Sequence, residues 1–189
     1  MTATNGGRAN VPPSVEDTLG VLVAEGVTHV VGLPDSISAP LLERLPEHGL
    51  RLVRVTREGE AFAIASGLWL GGARPVVVLQ NTALLESGDA LRGTAMRMGV
   101  PLVALVTCRG YAKLKGMGMD PAGASRTRDT LVRPYIDTAA LFTEPTLAAW
   151  GVPFFLCEGA ADLPRVHEAF DMARTEERPV ALLLTRVPE

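Results

Sequence analysis

Short apolar runs rich in β-branched residues alternate along this chain with longer stretches of helical periodicity. The runs at 75–80 and 101–106 contain four or more consecutive hydrophobic residues, as strands buried on both faces of a parallel sheet do. Because a helical stretch separates each run from the next, the order favours helical crossovers between parallel strands. The pattern therefore predicts a doubly wound α/β fold, with helices on both faces of a six-stranded parallel sheet. The expected strands lie at 28–33, 51–55, 75–80, 101–106, 154–156 and 180–185.

Helices are expected between these runs, and capping residues and glycines mark their ends. Ser14 followed by Asp17 is an N-terminal capping signal, and Gly26 is expected to end the first helix. The stretch 109–125 is rich in glycine and has no amphipathic period, so it is predicted to be the longest irregular segment. Such segments are usually functional or mobile. The expected helices span about 15–25, 39–45, 58–70, 87–98, 144–150 and 163–173, with a short one near 130.

The composition indicates one globular domain. Hydrophobic residues make up 47% of the 189 residues and charged residues 21%, which is enough apolar material for a substantial core. Residues 1–12 are expected to be a flexible tail and 13–189 the domain. A net charge of −3 offers no basic surface for nucleic acid, and no apolar run approaches the roughly 20 residues of a membrane span. Two cysteines, Cys108 and Cys157, and no signal peptide predict a cytoplasmic chain with reduced thiols, although the sequence leaves their pairing open.

Polar residues follow four of the predicted strands. In a doubly wound sheet, ligands bind beyond the carboxyl ends of the strands, and these ends meet at one edge. We therefore expect four clusters to line one candidate site. They are 34–36, 56–58, 80–82 and 107–109.

Several common catalytic motifs are missing from the sequence. It contains no GxxxxGK[ST] phosphate loop, no GxGxxG after the first strand and no GxSxG nucleophile turn. The three histidines, His29, His48 and His167, are scattered without metal-ligand spacing, so each is expected to be a surface or packing residue. Nucleotide binding by these loops and ordinary serine-hydrolase chemistry are therefore disfavoured.

A predicted helix that begins with a glutamate and contains several small residues indicates a different kind of site. Glu58 is followed by Ala61, Ala65 and Gly67, which gives the pattern E-x-x-A-x-x-x-A-x-G. This pattern resembles the pyrimidine-binding domain of thiamine-diphosphate enzymes. In particular, the chain from about 15 to 187 is similar to the alpha subunit of sulfopyruvate decarboxylase and to the matching half of phosphonopyruvate decarboxylase.

Other segments support this resemblance in the same order along the chain. Residues 32–36 are similar to a G-x-P-D-S turn, 76–81 to a strand with a Q-N/S turn, and 178–184 to a P-V-A-V-L-L ending. Residues 108–110, Cys-Arg-Gly, stand where those decarboxylases have H-R-G. Residues 83–86 depart from the family, because Leu85 and Glu86 replace an expected glycine and asparagine and so change how substrate or cofactor fits beside this turn.

The resemblance assigns roles to individual residues. It implies that Glu58 is catalytic, bonding to the aminopyrimidine N1′ and favouring the tautomer that takes a proton from C2 of the thiazolium. Glu60 is the rival for this role, although the spacing of the small residues favours Glu58. Each role has a competing structural interpretation. Glu58 could interact with the helix dipole, Asp35 and Ser36 could form or cap a turn, and Arg109 could be a solvated surface residue. The implied cofactor-binding residues are Glu58, Gln80 and Asn81, and the implied substrate-binding residues are Asp35, Ser36 and Arg109.

The resemblance also implies a partner. Thiamine-diphosphate enzymes hold the diphosphate and Mg²⁺ through a second domain marked by G-D-G and a later N-N, and the nearest match here, 88–90, is Gly-Asp-Ala without the paired asparagines. We therefore expect a heteromer in which a beta subunit binds the metal and this alpha subunit is active only with that partner. Its substrate would be an anionic 2-oxo acid such as phosphonopyruvate or sulfopyruvate. The alternatives are a split acetolactate-synthase-like enzyme and a non-catalytic assembly or regulatory subunit of the same fold.

Overall fold

The computed structural model describes residues 11–186, in which six strands form one fully parallel sheet. Four of these strands are buried along almost their whole length, which confirms the predicted doubly wound α/β class. Residues 1–10 of the predicted tail 1–12 lie outside the described part. The spatial order is β2-β1-β3-β4-β6-β5. The strands are β1 His29–Gly32, β2 Arg51–Arg54, β3 Pro75–Gln80, β4 Val103–Thr107, β5 Phe154–Cys157 and β6 Val180–Leu184.

Helices connect the strands and cover both faces of the sheet, with short 3₁₀ turns at Leu45–His48 and Ala160–Asp162 and a π-helical segment at Leu91–Met96. As predicted, the side chain of Ser14 caps the first helix by accepting from the backbone N–H of Asp17 at 3.0 Å. The α-helices are α1 Val15–Ala24, α2 Ala39–Glu43, α3 Glu58–Leu70, α4 Asn81–Glu86, α5 Gly88–Ala90, α6 Tyr111–Gly116, α7 Arg128–Leu131, α8 Thr138–Trp150 and α9 Arg165–Glu176.

The sheet separates two hydrophobic cores. Neighbouring strand residues alternate between them, so that Val31 packs with α3 and α8 while Val30 packs with α1, α2 and α9. The two cysteines follow the same division: Cys108 lies in the first core and Cys157 in the second. Both thiols are free and buried on opposite faces of the sheet, which resolves the pairing that the sequence left open.

The region after β3 differs from the sequence prediction. A helix was expected over 87–98 after a turn at 80–82, whereas α4 begins at Asn81 directly after the strand. The chain then breaks near Gly88, against which the Trp150 ring packs so closely that a Cβ would lie 2.6 Å away. The glycine beside this break leaves room for the ring, a tertiary contact that helical periodicity alone did not indicate.

The predicted irregular segment 109–125 contains the helix α6, and the predicted helix 144–150 begins earlier, at Thr138. These two helices, α6 and α8, are in contact in the folded chain. Tyr111 is fully buried, and its hydroxyl donates to Glu144 Oε1 at 3.2 Å. Pro145 inside α8 explains why the early start was missed, since proline normally marks the beginning of a helix or its interruption.

The half-buried Glu144 carboxyl is electrostatically unfavourable in its ionised form. Burial raises its pKa above the usual value of 4.5, and the carboxylates of Asp120 and Glu158 act in the same direction. The bond from Tyr111 and the charge of Lys115 oppose this shift without cancelling it. Burial also raises the pKa of Tyr111, so this phenol remains a neutral donor.

Gly32 is expected to tolerate no side chain. A Cβ at this position would lie 2.3 Å from the Val78 carbonyl oxygen in the neighbouring strand, and a backbone atom in a buried sheet cannot move away easily. We expect Gly32→Ala to lower the free energy of unfolding by about 1–3 kcal/mol in urea titrations. Gly20→Ala is the matched control, because the added methyl meets no atom within 4 Å and should stabilise α1 by about 0.5–1 kcal/mol. Equal stability of the two variants would contradict the close approach.

Glu144→Gln tests the charge buried between α6 and α8. Since the folded state binds the Glu144 proton more tightly than the unfolded chain, stability falls as pH rises from 4.5 through the raised folded pKa. Glutamine removes this ionisation and keeps an acceptor for Tyr111. We expect the variant to be more stable than the natural chain at about pH 7 and equally stable below about pH 4, by thermal unfolding.

The exposed Glu168 on α9 provides the control for this experiment. Glu168→Gln makes the same change of charge at a site where the side chain is solvated, so a small effect is expected at both pH values. A gain for Glu144→Gln that had the same size at both pH values would show that ionisation of Glu144 is not its cause.

Candidate active site

The four polar clusters predicted from the sequence lie along one edge of the sheet. They follow β2, β1, β3 and β4, which are adjacent in that order and run in the same direction. Side-chain bonds link neighbouring clusters: Gln80 Nε2 donates to Asp35 Oδ1 at 3.2 Å, and Asn81 Nδ2 donates to the Arg109 carbonyl at 3.2 Å. The edge also contains the switch point between β1 and β3, where doubly wound sheets bind ligands.

Glu58 is the first residue of α3, and its half-buried side chain makes no hydrogen bond or ion pair within residues 11–186. Arg57 before it is extended, so the helix begins at Glu58 itself. Residues Ala61 and Ala65 of the small-residue pattern are fully buried against the sheet. The carboxyl of Glu58 is thus held at the carboxyl edge by a packed helix and is available to bind a ligand.

Glu60 is used by the fold. One of its carboxylate oxygens, Oε2, accepts from the backbone N–H groups of Thr56 at 3.0 Å and Arg57 at 3.2 Å. These bonds lower its pKa, since they favour the ionised form. Glu60 therefore closes the first turn of α3 in the manner of a capping box. The two rival acids have different environments, because one caps the helix and the other has no protein partner in the described residues.

Asp35 organises the turn after β1. Its Oδ1 accepts from the backbone N–H groups of Ile37 at 2.7 Å and Ser38 at 3.1 Å, and its Oδ2 accepts from the Ser38 hydroxyl at 2.8 Å. With Gln80 also bonded to it, this carboxylate is fully engaged inside the chain. Ser36 lies at the exposed tip of the turn, and its hydroxyl makes no hydrogen bond in the described residues. In this arrangement Asp35 sets the turn that presents Ser36.

Gln80 and Asn81 differ in accessibility although they are adjacent. Gln80 is partly exposed, and its Oε1 accepts from the Thr82 hydroxyl at 2.8 Å. Asn81 is completely buried, and its Nδ2 donates to the Thr143 hydroxyl at 3.3 Å as well as to the Arg109 carbonyl. Its Oδ1 has no protein donor. The amide of Asn81 thus ties the ends of β3 and β4 to α8.

Arg109 follows β4 and is half-exposed at the same edge. Its Nε donates to Asp137 Oδ2 at 2.6 Å, and its terminal nitrogens have no acceptor within residues 11–186. Asp137 was not predicted as a site residue. No feature of the sequence indicated it, because a helix was expected only over 144–150. In the structure Asp137 caps α8, since its other oxygen, Oδ1, accepts from the Ala139 N–H at 3.1 Å.

The altered segment 83–86 lies in α4, close to the start of α3. Glu86 Oε1 accepts from Arg57 Nη2 at 3.5 Å, and Glu86 Oε2 lies 3.5 Å from the position of a Cβ on Gly59. The departure from the expected glycine and asparagine therefore places a half-exposed carboxylate beside the turn that contains Glu58.

In the described part of the chain, no group of three or more His, Cys, Asp or Glu side chains is placed to hold a metal ion. Across residues 11–186, none of the helices has the length and apolar character needed to span a membrane.

A family model described as thiamine pyrophosphate enzyme, N-terminal TPP binding domain, matches residues 15–129. This range contains β1 to β4 and therefore all four polar clusters at the candidate edge.

Curated relatives match over different lengths. Phosphonopyruvate decarboxylase from Streptomyces hygroscopicus is 38% identical over 98 residues, which are 51% of this chain and 24% of that protein. Sulfopyruvate decarboxylase subunit alpha from Methanococcus maripaludis is 23% identical over 165 residues, which are 86% of this chain and 89% of that subunit. The matched region thus spans 24% of the length of the phosphonopyruvate decarboxylase and most of the alpha subunit.

Solved structures show the same fold. Benzoylformate decarboxylase from Polynucleobacter necessarius superposes with a TM-score of 0.63 at 23% identity, over 94% of this chain and 32% of that one. At this identity the likeness concerns the architecture alone. The family match, which spans β1 to β4, gives the assignment: this chain belongs to the thiamine pyrophosphate enzymes, as an N-terminal TPP binding domain.

Proposed function

We propose that this chain is the alpha subunit of a heteromeric thiamine-diphosphate-dependent decarboxylase. Its substrate would be an anionic 2-oxo acid such as phosphonopyruvate or sulfopyruvate, converted to the aldehyde and CO₂. The observation that supports this most directly is the contrast at the start of α3, where Glu60 caps the helix and Glu58 has no protein partner in residues 11–186. An acid that is held at the ligand edge without an internal bond suits a ligand contact.

The residues present fit the pyrimidine end of thiamine diphosphate. Glu58 would hold a proton at the pyrimidine nitrogen, a task that needs a carboxyl group on a fixed backbone with a free oxygen. When bound, the cofactor supplies the electron sink for decarboxylation. Gln80 lies on the same edge and would contribute an amide, whereas Asn81 is buried and would act through the backbone it ties together.

The substrate contacts are proposed from charge and exposure. Arg109 follows β4 at the ligand edge, and its terminal nitrogens have no acceptor in the described residues. A guanidinium pairs well with a phosphonate, sulfonate or carboxylate. Ser36 would donate its hydroxyl from the turn that Asp35 organises.

The helix that contains Glu58 also supports the proposed partner. Beyond Glu60, α3 has no charged residue, and it exposes Ile64, Trp69 and Leu70. Helices that are apolar around their circumference are normally buried on all sides. We propose that a beta subunit with the diphosphate and Mg²⁺ site covers this surface, in line with the alpha-subunit name of the relative from Methanococcus maripaludis.

One observation keeps a second function in view. Glu86 places an additional carboxylate beside the turn that contains Glu58, where the decarboxylases that the sequence resembles have a small or neutral residue. A chain that kept the fold and lost the chemistry would serve as an assembly or regulatory subunit. The catalytic and the non-catalytic subunit predict different effects on decarboxylase activity when the Glu58 carboxyl group is removed.

Glu58→Gln is expected to abolish most of the activity of the assembled enzyme. Glutamine has the same length and cannot hold the proton, so we expect kcat for 2-oxo-acid decarboxylation to fall by at least about 100-fold. The urea midpoint of the variant should match that of the natural chain, because Glu58 has no internal bond to lose. Undiminished activity would exclude every proposal in which Glu58 is catalytic and would favour the non-catalytic subunit.

Glu60→Gln is the matched control, since it makes the same change two residues away. Glutamine can still accept from the N–H groups of Thr56 and Arg57, so both the fold and the activity should be retained. If Glu60→Gln lost as much activity as Glu58→Gln, the result would contradict the assignment of the catalytic role to Glu58.

The partner is tested with the isolated chain. With thiamine diphosphate and Mg²⁺ added, the chain alone should not decarboxylate phosphonopyruvate, sulfopyruvate or pyruvate. Addition of a protein containing G-D-G and N-N, such as one encoded by an adjacent gene, should produce decarboxylation of one of the anionic acids. Activity of the chain alone would rule out the heteromer, and acetolactate formation from pyruvate would favour the synthase-like alternative.

A further inference from the structure

Two residues from distant parts of the sequence hold Arg109 in place. The Nε of Arg109 donates to Asp137 Oδ2 at 2.6 Å, and its carbonyl accepts from Asn81 Nδ2 at 3.2 Å. Each partner is 28 residues away, one on either side of Arg109 in the chain. The side chain and the backbone of Arg109 are thus fixed by separate contacts.

Asp137 is itself firmly anchored. Its Oδ1 accepts from the Ala139 N–H at 3.1 Å and caps α8, so its two oxygens have separate tasks. Its side chain is 20% exposed, compared with 52% for Arg109. Gly110 allows this proximity: it has a φ of +87°, and a Cβ there would lie 2.6 Å from the Asp137 Cβ. Only glycine lets the chain after β4 pass so close to the start of α8.

The contact determines which part of the guanidinium is available. Because Nε is bonded to Asp137, the terminal nitrogens Nη1 and Nη2 are left without an acceptor in residues 11–186. A planar guanidinium held at Nε offers these two nitrogens together, which suits two oxygens of one oxyanion. An arginine without such a contact would have to lose side-chain entropy when it bound the same anion.

We infer that Asp137 is a positioning residue that orients Arg109 toward an oxyanion of the substrate. The inference rests on the proposed function and extends it, since it names the determinant that favours a phosphonate or sulfonate group over a neutral one. Asp137 acts through Arg109 and does not touch the substrate. Asn81 has the corresponding role for the backbone of Arg109, which gives this buried amide a function without direct contact to a ligand.

Asp137→Ser separates the two tasks of Asp137. Serine is a good N-cap and keeps the start of α8, but its side chain is too short to reach Arg109. In the full chain, the Nε–H signal of Arg109 in ¹⁵N NMR spectra, assigned with Arg109→Lys, should be protected from solvent exchange and should become exchange-broadened in Asp137→Ser. Titration with phosphonoacetate should shift this signal in the natural chain, and in the variant roughly tenfold more phosphonoacetate should be needed to restore a sharp signal.

The assembled enzyme supplies the kinetic test. Asp137→Ser should raise KM for the anionic 2-oxo acid roughly tenfold and leave kcat nearly unchanged, because the reacting groups are intact. Asp171→Ser is the matched control: it removes an aspartate that pairs with Arg174 at the same distance, 2.6 Å, on the surface of α9. This control should leave KM unchanged, and both variants should keep the urea midpoint of the natural chain.

The two readouts separate failure of the inference from failure of the proposed function. An Arg109 signal that was equally protected in Asp137→Ser, or that phosphonoacetate did not shift in the natural chain, would overturn the inference even in an active decarboxylase. An unchanged KM in Asp137→Ser would do the same. An assembled complex without decarboxylase activity would overturn the proposed function, while the NMR titration would still decide the role of Asp137.

Discussion

The parallel pairing of β2, β1, β3 and β4 is the constraint on which the candidate site depends. Parallel strands direct all of their carboxyl ends to one edge, so residues that follow different strands are brought together regardless of their separation in sequence. The pairing is close enough to exclude side chains in places. At Gly32, for example, the carbonyl oxygen of Val78 occupies the space that a Cβ would need. The end of β1 is therefore in close contact with β3 at this edge.

The acidic residues at this edge have different tasks, and their hydrogen bonds show which are structural. Asp35 orders a turn, Glu60 caps α3 and Asp137 caps α8. Each of these carboxylates accepts hydrogen bonds from backbone N–H groups and so holds the local backbone. Glu58 is the exception, because its position on α3 is fixed by packing of the neighbouring alanines and its carboxyl group makes no internal bond in the described residues. This difference supports Glu58 over Glu60 on physical grounds that spacing alone did not supply.

The region from β4 to α8 shows how a substrate contact can depend on remote residues. Arg109 is exposed enough to meet a ligand, yet its orientation depends on Asp137 and its backbone on Asn81. Tyr111, Leu114 and the half-buried Glu144 pack α6 against α8 and keep these elements together. Because Glu144 is half-buried, its ionisation lowers the stability of the fold. The packing of α6 against α8, which follows Arg109 in the chain, therefore depends on pH.

The order of apolar runs and helical stretches was sufficient to predict the strands, the parallel sheet and the edge that contains the polar clusters. These features follow from the local periodicity of the residues and from the small number of ways in which a chain connects parallel strands. The break after α4, the helix α6 and the early start of α8 were not predicted. Contacts between residues distant in sequence, such as Trp150 with Gly88 and Tyr111 with Glu144, occur at these places. The same distinction applies to the site: the spacing of small residues identified Glu58, whereas the capping role of Glu60 and the contact of Asp137 with Arg109 are hydrogen bonds that exist only once the chain has folded.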